Sequence, residues 1–166
     1  SFLMGLNLTS ELEGVNKVLR MMGESPVNSL ESQFGLAKQA NDSLREASRA
    51  IQSEGWSFNT DFEKTLNRTP GTNEIDLSSD ISRVVVDPYT YPDYDVTQRG
   101  LKLYDRKNNT SVFTEDLKAD VSYILDWTDL PEHARQYMMV KAGRTLQEQI
   151  LGSAELTQIN LTMEAE

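Results

Sequence analysis

Cysteine is absent from the chain. That excludes disulfide staples, thiol catalysis and thiolate metal sites together, and it suits maturation in a reducing cytoplasm. Histidine occurs once, as His133, so a nucleophile–base pair would depend on that imidazole, and no serine sits in a nucleophile-elbow sequence. Positive charge is scarce: 16 Lys and Arg against 26 Asp and Glu leave a net charge of −10. DNA affinity is built from counterion release onto Lys and Arg, which argues against sequence-reading of DNA. An acidic wall past which DNA slides without sticking is compatible with the same charge. Apolar residues are sparse as well, at 38% of 166 residues. A chain of that length suits one domain and buries roughly 70% of its unfolded surface. Either some segments lie outside the core or other subunits complete it. No apolar run approaches the ~20 residues needed to cross a bilayer, and residues 1–6 lack the length and basic start of a signal peptide. No membrane anchor is expected.

What the chain does have is helical periodicity. Residues 32–58 are predicted as one long helix handing over to a strand. Ala37, Ala40, Leu44, Ala47 and Ile51 recur at steps of three and four and so stack on one side. Lys38, Gln39, Asp42, Arg45, Glu46, Arg49 and Gln52 fill the opposite side. The alanines allow a facing helix to approach closely. Gly55 supplies a left-handed helix end, and residues 56–59 resume as a strand.

Upstream, residues 1–7 form an arm, and Ser10 with Glu13 forms a capping box. Leu12, Val15, Leu19 and Met22 make a short amphipathic helix closed by Gly23, and Pro26 forbids its continuation. The first two helices are expected to fold back as an antiparallel pair, with Val15 and Leu19 against the alanine seam. Downstream, strands are predicted over 64–66, 74–77, 81–86, 100–105, 111–113 and 118–125. Asn108-Asn109 should turn 100–105 back onto Val112 as a hairpin. Residues 118–125 alternate with apolar side chains on both faces, as in a strand covered on both sides. Pro131 fits the first position of another helix, with Glu132 near its positive end and a stripe of Ala134, Tyr137, Met138, Ala142, Leu146 and Ile150. Gly152 should end that helix and Ser153 cap a fourth. The predicted class is α+β. A helical bundle of two N-terminal and two C-terminal helices carries an inserted antiparallel sheet and extended loops. The single domain 1–166 would divide into a helical pair (9–55), a β-rich insertion (56–125) and C-terminal helices (129–166).

Three groups invite chemistry. His133 lies near Glu132, Asp126 and Asp129, but consecutive residues of a helix point about 100° apart, which argues against a metal site. Asp93 and Asp95 beside Tyr91 and Tyr94 resemble the two carboxylates and aromatics of a glycosidase. A loop with solvated charges needs no such cause. Arg99, Lys102, Arg106 and Lys107 form a basic patch that could meet nucleic acid or an acidic partner, or simply protect a strand edge. No catalytic, cofactor or metal site is predicted.

The order of features resembles a known family: tail tubular protein A, the head-to-tail adaptor of short-tailed bacteriophages. The resemblance rests on Glu11-Leu12-Glu13-Gly14-Val15-Asn16 and a Gly23-Glu24-Ser25-Pro26-Val27 turn. It continues through Ile51-Gln52-Ser53-Glu54-Gly55-Trp56-Ser57-Phe58-Asn59 and Gly100-Leu101-Lys102-Leu103-Tyr104-Asp105-Arg106. It closes on Leu130-Pro131-Glu132, Lys141-Ala142 and Gly152. It spans residues 9–156 but not the loops between 61 and 96. The resemblance implies a non-enzymatic virion protein, assembled in the host cytoplasm and placed at the head–tail junction. Copies would form a dodecameric ring between the portal protein and a tail nozzle protein like tail tubular protein B. Double-stranded DNA would pass through the channel without sequence-specific binding. Family members run on beyond a position like Glu166, so part of the portal-gripping segment is expected to be missing or rearranged. The turn Arg106, Lys107, Asn108 and Asn109 is the expected nozzle contact. The segment after Gly152, with Leu156, Ile159 and Met163, is the expected portal contact. The competing expectation is a tail-associated hydrolase acting on polysaccharide through Asp93 and Asp95; a third is an unrelated helical interaction module.

Overall fold

Local chemistry starts the first helix. The Ser10 hydroxyl accepts from the Glu13 N–H at 3.1 Å, and α1 follows over Glu11–Met21. At its end Gly23 is left-handed (φ 75°). The N–H groups of Gly23 and Glu24 return to the carbonyls of Arg20 and Leu19 at 3.0 and 2.9 Å, which satisfies the last turn. Asn16 holds the chain that follows, accepting from the Val27 N–H at 2.8 Å and donating to its carbonyl at 3.0 Å. This computed structural model describes residues 7–31 and 35–164. Most of the expected N-terminal arm and the expected helix start at Ser32 lie outside them. The chain divides into two compact units, residues 1–49 with 126–166 and residues 50–125.

The first unit is helical. α2 spans Gly35–Gln52, its last turn belonging to the second unit, and α3 spans Glu132–Glu164. Ala40, Leu44 and Ala47 are buried, as the seam predicted. The partner of α1 differs from expectation: its main packing is on α3 rather than on α2. Glycines allow this. A Cβ on Gly14 would stand 3.1–3.4 Å from Leu44, Trp127 and Met139, and one on Gly143 would lie 2.3 Å from the Met21 sulfur.

The C-terminal helices also differ, and there the expected pair is one helix of 33 residues. Gly152 does not stop it, because a lone glycine costs a helix only about 1 kcal/mol. No proline follows it, and its φ is not among the left-handed ones. Buried along α3 are Ala134, Arg135, Met138, Met139, Ala142, Gly143 and Leu146. Tyr137 and Ile150, expected in the stripe, are 53% and 41% exposed.

In the second unit β5 (Leu117–Tyr123) lies between β1 (Thr60–Leu66) and β2 (Ile81–Val85), antiparallel to both. Leu117, Ala119 and Val121 bury one face, whereas Lys118 on the other is exposed and Asp120 half-buried, so the expected cover on both faces is not found: two neighbouring strands close the edges of β5, not its second face. Residues 57–59, expected as a strand, form a 3₁₀ turn into β1. Gly55 is left-handed (φ 78°), and a Cβ there would meet the Ser122 hydroxyl at 2.9 Å, so the chain passes close to β5 only with glycine. Gln52, assigned above to the polar side of the helix, is fully buried. Its side chain accepts from the Leu125 N–H at 2.7 Å and donates to the Leu125 carbonyl at 3.2 Å. Asn59 joins it, donating to the carbonyls of Gln52 and Tyr123 at 2.7 and 2.8 Å. A buried amide is tolerated when its bonds are complete in this way.

β3 (Val96–Arg99) and β4 (Lys102–Asp105) form a separate hairpin through Gly100-Leu101. The expected pairing of 100–105 with 111–113 is therefore replaced. Val112 bridges Glu74 instead, and only the Asp105–Thr110 bridge spans the Asn108-Asn109 turn. Leu66, Ile75, Leu77, Leu103, Phe113 and Leu117 are among the core residues of this unit, with Tyr91 and Tyr94 packed on them.

Candidate functional site

The turn of Arg106, Lys107, Asn108 and Asn109 is built around one buried carboxylate. Asp105, 1% exposed at the end of β4, accepts from the N–H of Asp95 at 3.0 Å, the N–H of Lys107 at 3.0 Å and the Asn108 side chain at 2.6 Å. Desolvation, the largest single effect, pushes its pKa up. These hydrogen bonds together outweigh it and hold the carboxyl below its ordinary value. Asn109 closes the turn with φ 54°, a conformation that asparagine tolerates. A second loop braces the first. Arg106 pairs with the Asp95 carboxylate at 2.8 Å, Lys107 Nζ donates to the Pro92 carbonyl at 2.9 Å, and Asn108 donates to the Asp93 carbonyl at 3.0 Å. All four turn residues remain exposed. The result is a polar surface already held in shape, which lowers the ordering cost of docking.

The basic patch is dispersed by its own neighbours. Arg99 stacks over the Tyr104 ring at 3.6 Å, and Lys102 pairs with Glu74 at 2.7 Å. With Arg106 on Asp95 and Lys107 on the Pro92 carbonyl, all four cations that could meet nucleic acid or an acidic partner are engaged by local groups. Of the Asp93/Asp95 pair, the Asp95 carboxylate is committed to Arg106. Tyr94 meets Phe113 edge-on with centroids 5.5 Å apart, and the Tyr91 hydroxyl accepts from the Lys118 N–H at 2.9 Å. Both tyrosines are half-buried and pack against the core of this unit, a structural role that needs no sugar.

Glu132 fastens Thr9, just before the cap of α1. It accepts from the Thr9 hydroxyl, from the Thr9 N–H at 2.9 Å and from Gln136 at 2.8 Å. The Thr9 hydroxyl and then its N–H are the main causes that lower its pKa from 4.5 to about 2. No group of three or more His, Cys, Asp or Glu able to hold a metal occurs among the described residues. Because the folded pKa is depressed, the clasp's stabilisation is complete above the unfolded pKa and is lost as pH falls from about 4.5 towards 2. Melting temperature should therefore drop between pH 5 and pH 2.5, and Glu132→Gln should flatten that part of the profile. Equal acid sensitivity in both proteins would locate the titration elsewhere.

The second predicted surface lies on α3. Leu156, Ile159 and Met163 are 63%, 55% and 70% exposed. The last buried residue of the helix is Leu146. Their helical spacing places all three on one face, with Gly152 one turn before Leu156. Sequence reasoning located these residues and placed Leu161 in the same helix and Ile150 in the stripe before it, but did not read Ile150 and Leu161 as a second exposed face. The repeated 4-3-4 step from Ile150 was the available signal.

The described surface thus presents a preformed polar turn and, beyond Leu146, an exposed apolar stretch of α3. Comparison of sequences gives the class of protein. The pattern of the tail tubular protein family matches residues 12–166, and the chain belongs to that family. Tail tubular protein A of Klebsiella phage KP34 is 27% identical over 128 residues. The match takes in 77% of this chain and 66% of the relative, so the chain spans just under two thirds of the relative's length. The protein is thus a structural component of a bacteriophage tail, part of the virion. No described helix is long and apolar enough to cross a membrane.

Proposed function

We propose that this protein is the head-to-tail adaptor of its virus, a single adaptor domain repeated in a dodecameric ring between the portal protein and the tail nozzle. The observation that carries this is the exposed apolar length of α3 beyond Leu146, which has no core of its own to enter. An adaptor between two different proteins needs two different patches per subunit besides those that join its copies, and the turn at residues 106–109 and the end of α3 are two such patches. The turn meets the nozzle; the stretch with Leu156, Ile159 and Met163 lies on the portal side. Duplex DNA passes through the channel, and the net charge of −10 favours passage without adhesion.

Light scattering of the protein alone, and then mixed with the portal ring of the same virus, tests this. A monomer that becomes a stoichiometric ring on the portal is the expected result. A monomer that remains free beside a competent portal would overturn the adaptor assignment.

A further inference from the structure

The C-terminal half of α3 carries two apolar stripes. One consists of Gly152, Leu156, Ile159 and Met163, the other of Ile150, Ala154, Thr157 and Leu161. Both follow the 4-3-4 step of a coiled-coil seam. At about 100° per residue the stripes lie about 160° apart around the helix. One partner on one side covers only one of them. Helices in three- or four-membered bundles meet their neighbours about 60–90° apart, whereas wide separations belong to helices in many-membered closed rings.

The two stripes also fit each other. The second repeats the first displaced by two residues, about 3 Å along the axis. Over an interaxial spacing of about 9 Å, parallel helices tilted by about 20° in the ring wall take up that offset while the ring stays closed, and Ile150 then stands against Gly152, Ala154 against Leu156 and Thr157 against Ile159. Large faces small at these three levels, as interdigitated packing requires; at the fourth, Leu161 meets Met163 and closes the seam with two long side chains. The Thr157 hydroxyl donates to its own helix at the Ser153 carbonyl, 2.9 Å away, leaving its methyl available to the seam. The match also gives Gly152 a purpose. Among the described residues, nothing beyond the neighbouring backbone of its own helix lies within 4 Å of where its Cβ would stand, yet glycine weakens a helix interior. Charge permits the contact: between 150 and 164 only Glu155 and Glu164 are ionisable, in a chain of net charge −10.

We propose that in the assembled ring each copy docks its Ile150–Ala154–Thr157–Leu161 stripe on the Gly152–Leu156–Ile159–Met163 stripe of the next, the helices running parallel. The inference rests on the ring assignment above and refines it, giving Leu156, Ile159 and Met163 a second copy as their immediate neighbour. Four side chains per stripe fall well short of the roughly 20–30 residues a side of a stable pair. The isolated chain therefore stays monomeric, and the seam closes only when the portal gathers the copies.

Since the chain has no cysteine, the seam can be tested by cross-linking. Ala154→Cys with Leu156→Cys in one chain, assembled on the portal ring and mildly oxidised, should give a covalent ladder extending beyond dimers. These positions face opposite sides of their own helix and cannot bond within it. Gln158→Cys with Asn160→Cys, on the arcs between the stripes, should give none. In parallel, Gly152→Leu should leave the monomer melting temperature unchanged or higher while weakening ring formation at least tenfold. A stoichiometric ring without a ladder, or with equal laddering by the control pair, overturns the seam and leaves the adaptor assignment standing. So does wild-type assembly of Gly152→Leu. If the wild-type chain forms no ring on the portal, the adaptor assignment fails and the seam with it.

Discussion

Replacing Arg135 with alanine is expected to destabilise the helical unit by about 3–5 kcal/mol, the range for removing the charged hub of a buried hydrogen-bond network. Arg135 is only 3% exposed, and its guanidinium meets backbone carbonyls rather than a carboxylate. Nε donates to Leu130 at 2.9 Å, one terminal nitrogen to Thr9 at 2.8 Å and the other to Thr128 at 3.0 Å. The Thr9 carbonyl also accepts from the Trp127 indole at 2.8 Å. One side chain thus gathers the segment before α1, the turn before α3 and α3 itself. Arg135→Lys should recover only part of the loss, since an ammonium cannot reproduce a planar fork in three directions. Denaturant unfolding followed through Trp127 measures the effect in this unit, while Trp56 reports the β-rich unit and should change little. A loss below about 1 kcal/mol would mean that water replaces the guanidinium at these carbonyls.

Deleting the chain from Ser153 onward is expected to abolish portal attachment while leaving the fold intact. No residue in that stretch is among the buried ones of α3, so no core contact is lost. Removal also ends the helix at a residue that already favours an end. The exposed Leu156, Ile159, Leu161 and Met163 are each worth roughly 1.5–3 kcal/mol when a partner covers them, and a ring repeats that contribution in every copy. Circular dichroism and thermal melting of the shortened chain should match the parent, and co-sedimentation with the portal ring should fall to background. Undiminished attachment would move the portal contact elsewhere on the molecule.

Signals that act within a few residues were legible in the amino-acid sequence. The Ser10 cap, the left-handed ends at Gly23 and Gly55, the buried seam of Ala40, Leu44, Ala47 and Ile51, and the turn at Asn108-Asn109 all have local physical causes, and each stands where its residues predicted. Family membership was legible too, because it depends on the order of such motifs.

Tertiary structure decided whatever required choosing among distant partners. Residues 102–105 pair with 96–99 rather than 111–113, since several strands of similar character compete and the winner depends on which side chains reach the core. α1 packs chiefly on α3 because Gly14 and Gly143 admit close neighbours, a fact invisible in the helix's own periodicity. Gln52, Asp105 and Arg135 read as surface residues by type. Each is buried because the fold delivers backbone partners from remote segments, and a polar group leaves water only when those partners are already in place. Gly152 reads as a stop by local rules, yet the helix continues through it, because one unfavourable residue cannot outweigh the bonds propagated from either side.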